Sequence, residues 1–298
     1  MTLHEIQMYE ELLELLEKRF DSGEIDKSNY VELKTRYNQK LEEAKQNQEM
    51  QKEASRIYTS GVKTVTERSM TSAGSTRISG GTVLKDIRIS GSGKIDNDVE
   101  CNNLKSAGSL KSFGNIIAHG DVSCAGSFKC EGSLHVDNDA KFSGSAKIEE
   151  EVIIKGRISA AGSYSSGSLT QAERGAKFSG SAKIHGSLLS QGLVDTAGRI
   201  QVAGDLVGED VLINKGKHFY GHRWQKLKPS IVEGNLFGTG EVYFANTRVE
   251  GDVKGLRVEL GPYSKVNGVI YYVENIEISN RAQIENEPIQ IRREDLKL

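Results

Sequence analysis

The sequence predicts a mainly β fold: a three-sided parallel β-helix with coils of about 18 residues, preceded by an α-helical hairpin. Three observations predict it. An apolar or small residue falls at every sixth position, as at Leu104, Leu110, Ile116, Val122, Phe128 and Leu134. The glycine of Ala107-Gly108-Ser109 recurs at Gly126, Gly144, Gly162, Gly180 and Gly198, always 18 residues on. The segment Ala140 to Ile148 (AKFSGSAKI) repeats identically at Ala176 to Ile184.

Each hexad reads as a short strand. A second apolar residue often lies two places after the first (Cys124, Cys130, Val136, Phe142, Ile148), and an i, i+2 pair on a strand points to one face. Three hexads then close a coil, coils stack at ~4.8 Å, and neighbouring coils supply a continuous core. The recurring glycine marks a corner that needs backbone freedom. The series passes through Tyr164 and Thr170, resumes at Ala176 and runs to Leu206. Before residue 104 it stays legible at Ile87/Ile89, Ile95 and Val99/Cys101. It breaks over 214–230 and returns as Val242/Phe244, Leu256/Val258, Val269/Tyr271 and Ile276/Ile278. Roughly ten coils, a rod of about 50 Å, are expected at that spacing.

Composition agrees with short strands and tight corners. The chain of 298 residues holds 32 glycines, well above the usual ~7 %, and only three prolines. A formal net charge of −2 creates no global field for nucleic acid or an acidic substrate. No apolar run approaches the ~20 residues of a membrane span, and Met-Thr-Leu-His-Glu does not start a signal peptide. Three cysteines without a CxxC pair point to a reducing cytosol rather than a disulfide framework.

Residues 1–57 are acidic, Leu-rich and nearly free of glycine. Ile6, Tyr9, Leu12, Leu13, Leu16 and Phe20 follow helical spacing, Asp21-Ser22-Gly23 breaks it, and Asp26 is suited to cap a second helix carrying Tyr30, Leu33, Tyr37 and Leu41. So small a unit buries little alone and is expected to pair with itself or dock on another protein. The run Gly23-Glu24-Ile25-Asp26-Lys27-Ser28-Asn29-Tyr30, followed by Leu33-Lys34, resembles the SHOCT motif over about residues 10–45. That resemblance implies an oligomerisation module. Residues 58–81, rich in Ser, Thr and Gly without apolar period, read as a flexible linker. The β-helix is placed at 82–290, and 291–298 as a charged tail.

Two architectures use 18-residue coils of hexads. Hexapeptide acyltransferases place a small residue two before a large aliphatic one, whereas here the earlier position is itself often large (Val122, Phe128, Leu134, Val152, Ile158). The hexads Gly126-Ser127-Phe128-Lys129-Cys130 and Gly132-Ser133-Leu134-His135-Val136, with Val249-Glu250-Gly251-Asp252-Val253, instead resemble the bactofilins over about residues 82–285. The resemblance implies a right-handed, three-sided β-helix and a polymer-forming cytoskeletal protein that needs no nucleotide.

No catalytic, cofactor or metal site is expected. Gly91-Ser92-Gly93-Lys94 lacks phosphate-loop spacing and reads as a coil corner. Cys124 and Cys130 fall on inward positions. His218 and His222 have i, i+4 spacing without a third ligand. The outward positions are more informative. One face carries a row of lysines, Lys111, Lys129, Lys147 and Lys183; stacked like charges are unfavourable, so the row reads either as a solubility device or as a site for an anionic partner. Another alternates Lys105, Ser123, Lys141, Ser159 and Lys177. The third carries Ile117, His135, Ile153, Gln171, Leu189 and Val207, whose aliphatics Ile117, Ile153, Leu189 and Val207 form a candidate interaction stripe. The insertion holds Lys215, Lys217, Phe219, Tyr220, Arg223, Trp224, Lys226 and Lys228 without an acid, a pattern that reads as a loop packed on the wall or as a contact for a partner or peripheral membrane; nucleic acid ranks below both.

The expectation is therefore a cytoplasmic structural protein, placed at the inner face of the membrane if the basic loop binds lipid. It would assemble with copies of itself end to end and meet other proteins through its N-terminal helices. The alternatives are a capped monomeric binding scaffold and, below that, a trimeric acyltransferase-like enzyme.

Overall fold

The computed structural model describes residues 69–216 and 228–296, the strand 59–65, and helical residues scattered between 10 and 45. The chain divides into two units, Met1–Tyr58 and Thr59–Leu298. The second is a parallel β-solenoid of about 12 turns. At ~4.8 Å per layer its rod is about 58 Å long, two coils longer than the repeat suggests.

One added coil lies at the start. Strands occupy Thr59–Val65 (β1) and Ser69–Ile78 (β2), where the sequence reads as a flexible linker. β2 is the first coil. It pairs in parallel with Gly81–Ile95 (β3), which pairs in parallel with Val99–Ser112 (β4). The Ser/Thr content that suggested a linker is the polar version of the same repeat: Ser72 and Thr76 point inward, are buried and hydrogen-bond each other. β1 is different, because it pairs antiparallel with β2 and its register slips twice.

Every coil has three faces, and side chains alternate along each as in the pattern buried-exposed-buried of 140–142 and 146–148. The first face stacks Leu104, Val122, Ala140, Ile158 and Ala176. The second stacks Leu110, Phe128, Ala146, Tyr164 and Ala182. The third stacks Ile116, Leu134, Val152, Thr170 and Leu188. All of these are at most 1 % exposed. Large and small side chains alternate between layers, which lets Phe128, Phe142, Tyr164 and Phe178 pack as a column with ring centroids 5.1–6.3 Å apart. Tyr164 and Thr170 interrupt the aliphatic series without leaving the core. Their hydroxyls lie 3.1 Å apart and Ser166 lies 2.8 Å from Thr170, so the buried polar atoms satisfy one another.

The corner between the first and second faces is built on glycine. Gly74, Gly91, Gly108, Gly126, Gly144, Gly162 and Gly180 have φ between +99° and +137°. From Gly74 to Gly180 they stack in register. A Cβ at Gly144 would lie 2.4 Å from the carbonyl oxygen of Gly126. Neither the conformation nor the space admits a side chain. Gly91, in the segment with a superficial phosphate-loop look, is one of these corner residues.

The insertion leaves the rod at this same corner. Its boundary is 229, since Ser230 already belongs to the strand Ser230–Val232 and its Oγ accepts the Ile200 N–H at 3.1 Å. Beyond the insertion the repeat shifts phase. Leu256 and Val258 are both buried, as the spacing expects, and Leu260 joins them, whereas the next inward residue is Ile270 rather than Val269, because Ile270 stacks on Val253. A one-residue slip exchanges the two faces of a strand. Val242/Phe244 and Ile276/Ile278 sit where the spacing puts them.

In the N-terminal unit the described residues are helical. Phe20 and Tyr30 stack with centroids 4.2 Å apart, Lys34 reaches Glu17 at 2.9 Å, and Lys45 reaches Glu10 at 3.5 Å. Leu16 and Leu41 are buried.

Replacing Gly144 by Ala is expected to destabilise the solenoid by about 1–3 kcal/mol from the backbone conformation alone, with more from the carbonyl contact. Urea unfolding of this variant beside Ser143→Ala, an exposed neighbour expected within about 0.5 kcal/mol of the parent, checks it.

Candidate functional site

The surfaces that can act are the outer faces, the corners and the two ends. On the second face Lys111, Lys129 and Lys147 stand in one column, as the spacing requires. Their charges are met within the chain. Glu131 lies 2.9 Å from Lys111 and 3.1 Å from Lys129, and Glu149 lies 3.4 Å from Lys129 and 2.7 Å from Lys147. Each glutamate follows the strand by one residue at the next corner, so the acids interleave with the lysines. Both carboxyls are held below their ordinary range, Glu131 first by its bond to Lys111 and Glu149 first by its bond to Lys147. An anionic partner would have to displace these acids; Lys183, further along the column, has no such neighbour in the sequence at position 185, which is His.

The third face brings Ile117, His135, Ile153, Gln171, Leu189 and Val207 into one column. Ile117 is 40 % exposed, and Ile153 and Leu189 are half-buried. Val207 is not exposed as the stripe reading requires: it is 7 % exposed and stacks on Phe237, itself 5 % exposed. The column continues through Lys254 and Tyr271 to Ile289. Those residues were hidden from the sequence reading because the insertion displaces the 18-residue phase.

Of the basic and aromatic insertion, Lys217, Phe219, Tyr220, Arg223, Trp224 and Lys226 lie outside the described residues, as do His218 and His222. Lys228 is exposed. Lys215 is committed to the wall, paired with Glu241 and 5.8 Å from the ring centre of Tyr243.

The other two corners carry ladders that the sequence reading missed. Asp98 accepts the N–H of Asn115 at 2.7 Å and Asn115 accepts that of Ser133 at 2.9 Å. Likewise Asn103 accepts from Asp121, Asp121 from Asp139 and Asp139 from Arg157. Across the insertion the series runs from Asp205 to Asn235, Asp252 and Val269. Each side chain satisfies a backbone donor that the turn would leave unpaired. The recurring Gly-Asp/Asn pairs at Gly120, Gly204, Gly234 and Gly251 were the available signal.

One histidine is placed between two acids. His119 Nε2 lies 2.7 Å from Glu100 and Nδ1 2.9 Å from Asp137, which also receives Lys155 at 2.7 Å. Both ring nitrogens face acceptors, so only the imidazolium satisfies both. The bond to Glu100, then that to Asp137, raises the His119 pKa, and Lys155 and His119 hold Asp137 below its ordinary value.

Cys101, Cys124 and Cys130 are free and buried, and burial pushes each thiol up to about 12. At neutral pH they are packing residues, not nucleophiles. Among the described residues no group of three His, Cys, Asp or Glu is placed to hold a metal, and no helix is long and apolar enough to cross a membrane.

The two ends differ. In the first coil Met70, Ser72, Thr76 and Ile78 are all at most 5 % exposed. In the last coil the equivalent inward residues are not covered: Ile278 is 40 % exposed, and Ile276, Ile284 and Pro288 are half-buried. The coil beneath buries Val258, Leu260, Val266 and Ile270. The tail ends in a single 3-10 turn, Arg293–Asp295, that buries none of its own residues.

No family model, no curated protein and no solved structure matches this chain.

Because its folded pKa is raised, charged His119 contributes stability that is present below its ordinary pKa of 6.5 and lost as pH rises through the folded value. Exposure keeps that contribution small. NMR titration is expected to place His119 above 6.5, and Glu100→Gln to bring it down; an unshifted ring in the parent would show that the bridge does not form.

Proposed function

We propose that this chain is a structural protein without chemistry of its own, which associates through the ends of its solenoid into filaments or scaffolds that need no nucleotide. The observation that carries the reading is the open last coil. A solenoid end presents a row of unpaired backbone groups and a slice of core, and such an edge templates pairing with another chain. Most solenoids close it with a polar cap; here the 3-10 turn leaves Ile278 exposed. Fully burying one isoleucine is worth about 1.5–3 kcal/mol, and these are already part-covered, so the apolar gain is modest and pairing of the edge strands must supplement it.

Three further features support the reading. On the second face Glu131 and Glu149 neutralise Lys111, Lys129 and Lys147, which leaves that column with little charge to recruit an anionic substrate. The hexad pattern resembles the polymer-forming bactofilins. The N-terminal helices, similar to an oligomerisation module, would tie assemblies together or recruit other proteins at high effective concentration. The basic and aromatic composition of the insertion suits a peripheral membrane contact.

A second reading, the monomeric scaffold, has β1 in its favour, since an antiparallel strand on the first coil acts as a cap.

Sedimentation velocity and negative-stain microscopy over a concentration series, without nucleotide, separate the two. Self-association gives rods that lengthen with concentration beyond the ~58 Å of one solenoid. A single rod length at every concentration leaves only the scaffold.

A further inference from the structure

The net charge of −2 hides a segregation around the rod. The first face, the glycine corner and the second face are formed by 70–78, 87–95, 104–112, 122–130, 140–148, 158–166 and 176–184. Those stretches hold ten bases and no acid. The stretches between them, from 79 to 193, form the third face and its two corners and hold four bases against twelve acids, net −8. Each coil repeats the same phase, so the two signs stay on opposite sides along the rod. Six of the ten bases are paired: Arg77 with Asp96, Arg88 with Asp86, Lys177 with Asp195, and Lys111, Lys129 and Lys147 with Glu131 and Glu149. The other four, Lys94, Lys105, Lys141 and Lys183, are exposed and form no ion pair among the described residues. Lys105 and Lys141 stand on the first face and Lys94 and Lys183 on the second, so they flank the glycine corner. That corner is low and polar. Residues 90–92, 107–109, 125–127, 143–145, 161–163 and 179–181 are all serine, alanine or glycine, and all are exposed. Nothing larger than a serine side chain stands along ~24 Å of ridge, and every one of these coils places a serine directly after its glycine, from Ser92 to Ser181.

We infer that this basic side of the solenoid docks on the phosphate backbone of duplex nucleic acid, without regard to base sequence, a function that goes beyond the end-to-end reading and does not rest on it. Lysine ammonium groups and serine hydroxyls are among the usual partners of phosphate oxygens, and such contacts position a protein without reading bases. The four free lysines lie on two faces that slope away from one ridge. A flat bilayer can lie along only one of those faces at a time, whereas a grooved polyanion can meet both sides of the ridge. The two faces also lack what other anionic partners use. No large apolar side chain is exposed on them to enter a lipid interface. Their aromatic rings, Phe128, Phe142, Tyr164 and Phe178, are buried, which leaves none to stack on unpaired bases. The acidic third side repels the same duplex, so the rod presents one binding side only.

The test is fluorescence anisotropy of the full chain with a labelled mixed-sequence duplex of about 24 base pairs, and with one of its strands, over about 50 to 200 mM NaCl. Four lysines on phosphates predict that log affinity falls against log salt with a slope of about −3 to −4, and that the duplex binds no more weakly than the single strand. Combining Lys94→Gln, Lys105→Gln, Lys141→Gln and Lys183→Gln, with circular dichroism to verify the fold, is expected to flatten the slope by about one per lysine and to weaken binding about 100-fold at the lowest salt. Combining Lys217→Gln, Arg223→Gln and Lys226→Gln in the insertion is expected to leave affinity and slope as in the parent. The assignment is overturned if the parent does not bind the duplex at about 50 mM NaCl, if the four-lysine variant keeps the parent's slope, or if the insertion variant is the one that loses binding. Tighter binding of the single strand overturns it too, as does capture of phosphatidylserine vesicles in place of the duplex, which would give the lysines to lipid.

Discussion

The rod depends on one close approach, the packing of each corner glycine on the carbonyl of the glycine one coil below. At Gly108, Gly126, Gly144, Gly162 and Gly180 a Cβ would lie 2.2–2.4 Å from that oxygen. The corner therefore fixes the layer spacing, and the spacing fixes the register of all three faces. Where the corner opens to the insertion, left-handed backbone passes to Asn214, and in the later coils to Asn246 and Tyr263. The same bend survives without glycine, using residues that reach φ near +50° to +60° rather than beyond +100°.

Fixed register turns the outer wall into columns, and columns force an electrostatic solution. Lysines stacked one coil apart would repel, and interleaved Glu131 and Glu149 remove the conflict. The turns face the complementary problem of unpaired N–H groups, met by Asp, Asn and Ser side chains from the coil below. A wall so internally satisfied has few groups left for a ligand. Among the described residues of the solenoid, large apolar side chains stay exposed at Ile278 and Ile289 of the last coil and at Phe113, Ile117 and Leu193 of the wall.

Much of this was legible in the chain itself. Periods of 6 and 18 place the inward residues, the glycine corner and the three outward columns because every interior coil obeys the same geometry. The reading failed where that geometry is interrupted. Ser72 and Thr76 occupy inward positions with hydroxyls that satisfy each other, which made the first coil look like a linker. Past the insertion, coils of altered length put Ile270 rather than Val269 in the core. The lysine column was visible as a row of charge, but its glutamates belong to the next corner, and only the stacking places them within reach. Val207 reads as exposed by alternation, and its burial with Phe237 arises from a neighbour 30 residues away.

On the end-to-end proposal the working surface is the unfinished last coil, not a wall or pocket. Hydrogen–deuterium exchange of the full chain at low and high protein concentration tests it most directly. Higher concentration is expected to slow exchange chiefly in the strands around 276–278, 283–284 and 289–290, with the interior coils unchanged. Protection that rises instead along the third face at Ile117, Ile153 and Leu189, or nowhere at all, would contradict it.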